Sequence, residues 1–141
     1  MTTCRDVMTR DPACVLPHDT VADVARLMKD KDIGPVPIVR ERDSKELLGI
    51  VTDRDLAIKV VAEGLDPTTT RVSDVMTTNV VTCREDDDID TALQAMSKNQ
   101  LRRIPVVDDG NMLVGIIAQA DVATRMNEPE KTGEVVKEIS E

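Results

Sequence analysis

No tryptophan, tyrosine or phenylalanine occurs anywhere in the 141 residues. A core built without them must be filled by Val, Ile, Leu, Met and Ala, and no aromatic face is available for stacking nucleic-acid bases. Positive charge is short as well: 18 Lys and Arg stand against 27 Asp and Glu, a net charge of −9, which repels nucleic-acid phosphates and anionic membrane surfaces. Neither nucleic acid nor a membrane is expected as a partner. No segment approaches the ~20 apolar residues of a membrane span, and the opening MTTCRDVMTRDPAC lacks the apolar run of a signal peptide, so the expected location is cytoplasmic. The single histidine, His18, lies in the polar turn Pro17-His18-Asp19 and reads as a surface residue, because a catalytic role needs a partner network that the sequence does not supply. No enzyme activity is expected. Three cysteines, Cys4, Cys14 and Cys83, are odd in number and without CxxC spacing, against a complete disulfide framework and against a zinc site. They read as reduced structural thiols, with a redox contact left open for Cys14 and Cys83, which fall at nearly equivalent places in the chain's two halves. The carboxylates Asp86, Asp87, Asp88 and Asp90 do not make a calcium loop of the EF-hand kind, since Thr91 and Ser97 stand where Gly and Glu are needed. No metal is expected.

What is present is a repeat. Asp6-Val7-Met8-Thr9 returns 68 residues later as Asp74-Val75-Met76-Thr77. Val21, Val24, Ala25 and Met28 have the i, i+3, i+4, i+7 spacing of one helix face, and Ile89, Ala92, Leu93 and Met96 reproduce it at the same offset. Pro37-Ile38-Val39 maps onto Pro105-Val106-Val107 at 68, whereas Gly49-Ile50-Val51 maps onto Gly115-Ile116-Ile117 at 66, so the second copy has a shorter connection. Each copy reads as strand, helix, strand, strand, helix, an α/β pattern. In the second, Asp86-Asp87-Asp88 caps a helix near 89–98, Asp109-Gly110 forms a tight turn between strands near 104–107 and 113–118, and 119–125 closes as a helix. In the first, Asp19 or Thr20 caps the first helix, Arg42-Asp43-Ser44-Lys45 forms a longer hairpin loop, and a last helix near 54–63 stops at Gly64. The expected organisation is a first repeat over 1–64, a linker over 65–71, a second repeat over 72–126 and an acidic tail over 127–141, with Val135, Val136 and Ile139 hinting at a short terminal helix. Units of ~60 residues bury too little surface alone, so two are expected to pair.

The chemistry concentrates where a strand runs into a helix. In Gly49-Ile50-Val51-Thr52-Asp53-Arg54-Asp55 the Thr52 hydroxyl suits a phosphate or ribose oxygen, and Asp55 suits a ribose diol. The same residues serve equally as a helix cap with a carboxylate complementing the helix dipole. The second copy reads Gly115-Ile116-Ile117-Ala118-Gln119-Ala120-Asp121, keeping the aspartate and losing the hydroxyl at Ala118. It offers instead Arg102-Arg103, paired cations suited to phosphate or to a solvated strand edge. The first copy has Ile33-Gly34-Pro35 at that place, with Arg54 and Lys59 as its nearest basic substitutes.

The Asp-Val-Met-Thr openings, the strands at Pro37 and Pro105, and the Gly-apolar-apolar-Thr/Ser-x-x-Asp signature matched in full by Gly49 to Asp55 together resemble a pair of CBS domains, the Bateman module named after cystathionine β-synthase. Gly64-Leu65-Asp66-Pro67, following Thr52 to Lys59, is similar to stand-alone bacterial pairs. The resemblance covers nearly the whole chain and implies two pseudo-twofold repeats, clefts between them for AMP, ADP, ATP or S-adenosylmethionine, and a homodimer. It implies Asp55 and Asp121 as ribose ligands, Thr52 as a phosphate or ribose contact, and Arg103, with Arg102, as phosphate ligands. The rival expectation is an interaction module that binds an unknown protein target through its surface and carries no ligand.

Overall fold

The motif that opens each copy of the repeat does not stay with that copy. In the computed structural model, which describes residues 1–125, the chain forms two compact units, one of Met1–Pro12 with the segment from Val81 onward, the other of Ala13–Val80. Asp6-Val7-Met8-Thr9 therefore joins the body of the second copy, and Asp74-Val75-Met76-Thr77 the body of the first. The repeat in sequence and the unit in space differ by this exchange. The acidic tail over 127–141, with its hinted helix, lies outside the described residues.

In chain order the elements are α1 (Cys4–Val7), β1 (Thr9–Arg10), α2 (Val21–Lys31), β2 (Val36–Val39), β3 (Leu47–Val51), α3 (Asp53–Leu56) running into a π-helical turn (Ala57–Val61), a 3-10 turn (Val72–Asp74), β4 (Cys83–Arg84), α4 (Ile89–Asn99), β5 (Arg103–Val107), β6 (Leu113–Ala118) and α5 (Gln119–Arg125). This is the α/β class that the alternating pattern predicts.

The unit containing the second copy's body has a four-stranded sheet in the order β1-β6-β5-β4, parallel only between β4 and β5. The helical stripe Ile89, Ala92, Leu93 and Met96 is fully buried against Ile104, Val106 and Ile117, as its spacing predicts. With no aromatic present, these aliphatic side chains supply the core, each one larger than alanine contributing about 1.5–3 kcal/mol on full burial. Asp88 caps α4, its side chain accepting the Asp90 N–H at 2.9 Å. The β5–β6 turn forms at Asp109-Gly110 as expected, closed by the Asn111 N–H on the Asp108 carbonyl at 3.1 Å, with Asn111 left-handed at φ 65°. Asp108 determines this by accepting from both the Gly110 and Met112 N–H groups, at 2.9 and 3.0 Å, an Asx-type turn.

The Ala13–Val80 unit repeats that layout with thinner edges. The β2–β3 hairpin is flanked by single bridges, Val15 to Ile38 in parallel and Thr77 to Ile50 antiparallel. On α2, Val21, Val24 and Met28 are buried, but Ala25 of the expected stripe is exposed and Leu27 packs on the core instead. A methyl group contributes little burial, so the longer side chain takes the inward position. Thr20 rather than Asp19 caps α2, and the carbonyls of Thr70 and Pro67 accept its first N–H groups from Val21 and Ala22, each at 2.9 Å. The stretch between the copies thus satisfies orphan donors of a helix within its own unit. The helix expected over 54–63 is one α-turn followed by the wider π-turn, ending with Gly64 at φ 70°, the left-handed stop foreseen there.

Glycine makes the exchange of opening motifs possible. A Cβ on Gly115 would sit 2.5 Å from the Met8 sulfur and 2.9 Å from the Thr9 carbonyl oxygen; one on Gly49 would sit 2.8 Å from both the Met76 sulfur and the Thr77 oxygen. A methionine can shift, but the backbone oxygens are held by the ladder, with Ile50 and Thr77 exchanging bonds of 2.9 Å. Gly115→Ala and Gly49→Ala are each expected to lower stability by about 1–3 kcal/mol, read as a shift in urea midpoint by circular dichroism. Adding Met8→Ala to Gly115→Ala should recover little of the loss, because the Thr9 oxygen remains in the way.

Candidate ligand-binding junctions

In the Ala13–Val80 unit, β3 delivers Thr52 to the start of α3 in an extended conformation, φ −117° and ψ 164°. Thr52 and Asp55 then form a reciprocal capping box: the Thr52 Oγ1 accepts the Asp55 N–H at 3.1 Å, and the Asp55 Oδ2 accepts the Thr52 N–H at 2.9 Å. The capping role weighed from the sequence is therefore occupied. It does not exhaust the pair. The Thr52 hydroxyl retains its proton, and among the described residues the Asp55 Oδ1 faces only the Lys59 ammonium, at 3.4 Å. Both residues are half-buried, which places a hydroxyl and a carboxylate oxygen at the surface of one helical turn.

Lys59 is one turn further on and also donates to the Val75 carbonyl oxygen at 3.0 Å. It anchors the repeated motif of this unit while supplying Asp55 with a counter-charge. Arg54 projects from α3 as an exposed residue. The first N–H of α3, from Asp53, donates to the Gly34 carbonyl at 3.2 Å, so Gly34-Pro35 lies beside the junction and brings no cation to it.

The other unit has the same construction with different side chains. The Gln119 N–H donates to the Arg102 carbonyl at 3.0 Å, and Arg103 stands directly across the β5–β6 ladder from Ala118. Arg102 is exposed and Arg103 half-buried, and among the described residues neither forms an ion pair. Asp121 accepts a bond of 3.3 Å from the Thr9 hydroxyl. Thr9 is a neighbour the sequence reading used only as a repeat marker; the signal was its place at the end of a motif that recurs as a block. Of the six candidates, Thr52, Arg54 and Asp55 thus gather in one unit and Arg102, Arg103 and Asp121 in the other.

Two polar cavities, of about 230 and 350 Å³, open at the far end of β4 and β5, lined among others by Glu85, Asp86, Asp87, Asp108 and Asp109. They include none of the six candidates, and their carboxylates repel a phosphate. His18 is exposed. Among the described residues no group of three or more His, Cys, Asp or Glu is placed to hold a metal ion, and no helix is long and apolar enough to cross a membrane.

The chain is 38% identical to the CBS domain-containing protein YhcV of Bacillus subtilis over 99% of its own length and 96% of that protein. It is also 38% identical to hypoxic response protein 1 of Mycobacterium tuberculosis, over 91% of this chain and 87% of the relative. The crystal structure of Hypoxic Response Protein I with two coordinated zinc ions aligns with a TM-score of 0.79 at 36% identity, covering 89% of this chain and all of that one. The CBS domain pair of protein MJ0100, solved with 5′-methylthioadenosine and S-adenosyl-L-methionine, gives 0.74 at 30% identity over 88% and 94%. CBSX2 in complex with AMP gives 0.76 at 26% over 88% and 95%. The CBS domain model matches twice, at residues 4–62 and 72–128, and the chain belongs to the CBS domain family as a tandem pair.

Proposed function

We propose that this chain is a non-catalytic regulatory module of the cytoplasm that binds an adenosine-containing ligand, AMP, ADP, ATP or S-adenosylmethionine, at its Thr52–Asp55 junction. The observation that carries the reading is the hydrogen-bonding capacity left over from the capping box: a hydroxyl proton on Thr52 and the Oδ1 of Asp55, held on one turn. Asp55 accepts from a ribose diol, Thr52 meets a phosphate or ribose oxygen, and the exposed Arg54 supplies positive charge nearby. Ligands of this class are named for the MJ0100 pair and for CBSX2. In the other unit Arg103, with Arg102, is the phosphate ligand and Asp121 the ribose ligand. Ala118 brings no hydroxyl there, so one ligand per chain is the expected stoichiometry. The ligand acts as a signal and not as a cofactor, shifting the module between two states by binding one of them better.

A second reading, contact with another protein, rests on a separate observation. Ile58, Val61 and Leu65, around the π-turn, are 47%, 75% and 45% exposed, an apolar surface of the kind that marks interfaces. A homodimer is the expected user, with an unknown protein target as the rival.

Calorimetric titration with the four ligands tests the first reading, since the lack of Trp and Tyr rules out intrinsic fluorescence. Heat with at least one is expected; none with any would favour the pure interaction module. Asp55→Asn keeps an acceptor for the cap and removes the charge, and should weaken binding about tenfold to a hundredfold. Thr52→Ala should lose about 1 kcal/mol of stability along with affinity, while Thr52→Ser should preserve both. For the second reading, sedimentation velocity should find a dimer that Val61→Asp shifts to monomer; an unchanged dimer would put the interface elsewhere.

A further inference from the structure

The two junctions share a backbone and differ in charge. In the unit holding the second copy's body, the Gln119 N–H donates to the Arg102 carbonyl at 3.0 Å, Arg103 follows, and Asp121 stands in the first turn of α5. Two cations and one carboxylate thus surround a neutral first helical residue. In the Ala13–Val80 unit the same bond joins the Asp53 N–H to the Gly34 carbonyl at 3.2 Å, but the side chains around it change. At the repeat's offsets Gly34 and Pro35 stand for Arg102 and Arg103, and Asp53 stands for Gln119. Asp55 for Asp121 is the charge that both copies keep.

Asp53 also takes up a particular place. A Cβ on Gly34 would lie 3.3 Å from its Oδ1 and 3.6 Å from its Oδ2. The carboxylate therefore covers the direction in which a side chain at that position, an arginine in the other unit, leaves the backbone. Its Oδ1 accepts the Arg54 N–H at 3.0 Å, and among the described residues the group forms no ion pair. Lys59 does not neutralise it, being held between Asp55 and the Val75 carbonyl oxygen.

We propose that Asp53 sets the specificity of the Thr52–Asp55 junction, rejecting 5′-phosphates and selecting an adenosine whose 5′ substituent is a sulfonium, as in S-adenosylmethionine. The inference rests on the reading of that junction as an adenosine site. A ligand with its ribose on Asp55, held as the other junction would hold it, brings its 5′ end to Gly34 and Asp53, where Arg102 and Arg103 would meet a phosphate. A phosphate there faces an unpaired carboxylate, the repulsive element by which a site refuses a ligand that otherwise fits. A sulfonium carries the opposite charge and is attracted. Arg54, next on α3 and exposed, suits the carboxylate at the amino-acid end of such a ligand.

Calorimetry on the full chain with S-adenosylmethionine, adenosine, AMP and ATP tests the assignment, each titration repeated in Asp55→Asn so that only binding weakened by that change is attributed to this junction. The expected order is S-adenosylmethionine tightest, adenosine next and the phosphates weakest, with S-adenosylmethionine ahead of AMP by at least about tenfold at low salt. Added salt should narrow the gap, because Asp53 is exposed and its field is screened. Asp53→Asn keeps the size of the side chain and should also narrow it. Asp53→Gln/Gly34→Arg installs the other unit's pair and should reverse the order in favour of AMP, with circular dichroism checking that both variants fold. AMP or ATP bound as tightly as S-adenosylmethionine at the Asp55-dependent site, or a gap unchanged in Asp53→Asn, would overturn the role of Asp53 and leave the adenosine reading standing. Heat with none of the four would overturn both.

Discussion

Each unit depends on two segments, distant in sequence, meeting where there is no room for a side chain. Thr9 lies across from Ile116 beside Gly115, and Thr77 across from Ile50 beside Gly49. Because the opening motif supplies an edge to a sheet whose body comes from the other copy, the Ala13–Val80 unit needs the second copy's opening and the other unit joins Met1–Pro12 to the segment from Val81 onward. The methionines fill the space this leaves: Met8 is 2% exposed and lies over Gly115. An unbranched thioether suits that position, since it can settle against backbone where a branched side chain would collide. In a core without aromatic rings such contacts carry more of the packing than usual.

The same economy governs the Thr52 junction. One capping box satisfies orphan N–H groups at a helix start, worth about 1 kcal/mol, and leaves an oxygen and a hydroxyl proton unspent. Lys59 is decisive for whether that oxygen can serve. At 3.4 Å from Oδ1, and with its shorter bond of 3.0 Å directed to the Val75 carbonyl, it neutralises Asp55 without capturing it. Its side chain is also 42% exposed, so solvent screens the pair and the contact contributes little to stability. A ligand hydroxyl competing for Oδ1 therefore displaces a weak contact while the cap itself, through Oδ2, stays in place.

Much of this was readable in advance, for identifiable reasons. The α4 stripe, the β6 limits and the left-handed Gly64 follow from local signals that tertiary structure does not oppose. The Asp109-Gly110 turn forms where it is expected, and only its detail, the two N–H groups gathered by Asp108 and the left-handed Asn111, goes beyond the pair. The misjudged detail is one where a local signal had a nearby competitor. Ala25 fits the helical period of α2, yet Leu27 buries more surface. The exchange of the opening motifs was not legible at all, because periodicity reports which residues share a face and nothing about which copy's sheet receives them. For the same reason Thr9, the partner of Asp121, was invisible.

The divergence between copies follows a physical rule. Buried positions keep size and exchange chemistry: Val72 and Val15 in one core stand where Cys4 and Cys83 stand in the other. A thiol and an isopropyl group occupy similar space, so the exchange leaves the packing intact. Junction positions, less constrained by packing, vary more freely, and Gly34-Pro35 is matched by Arg102-Arg103, Thr52 by Ala118. The backbone bond that builds the junction persists through the change, at 3.2 Å from Asp53 to Gly34 and 3.0 Å from Gln119 to Arg102. Because that bond uses only main-chain atoms, glycine and arginine both serve at the accepting position. Two units of one fold can therefore carry different chemistry at equivalent sites.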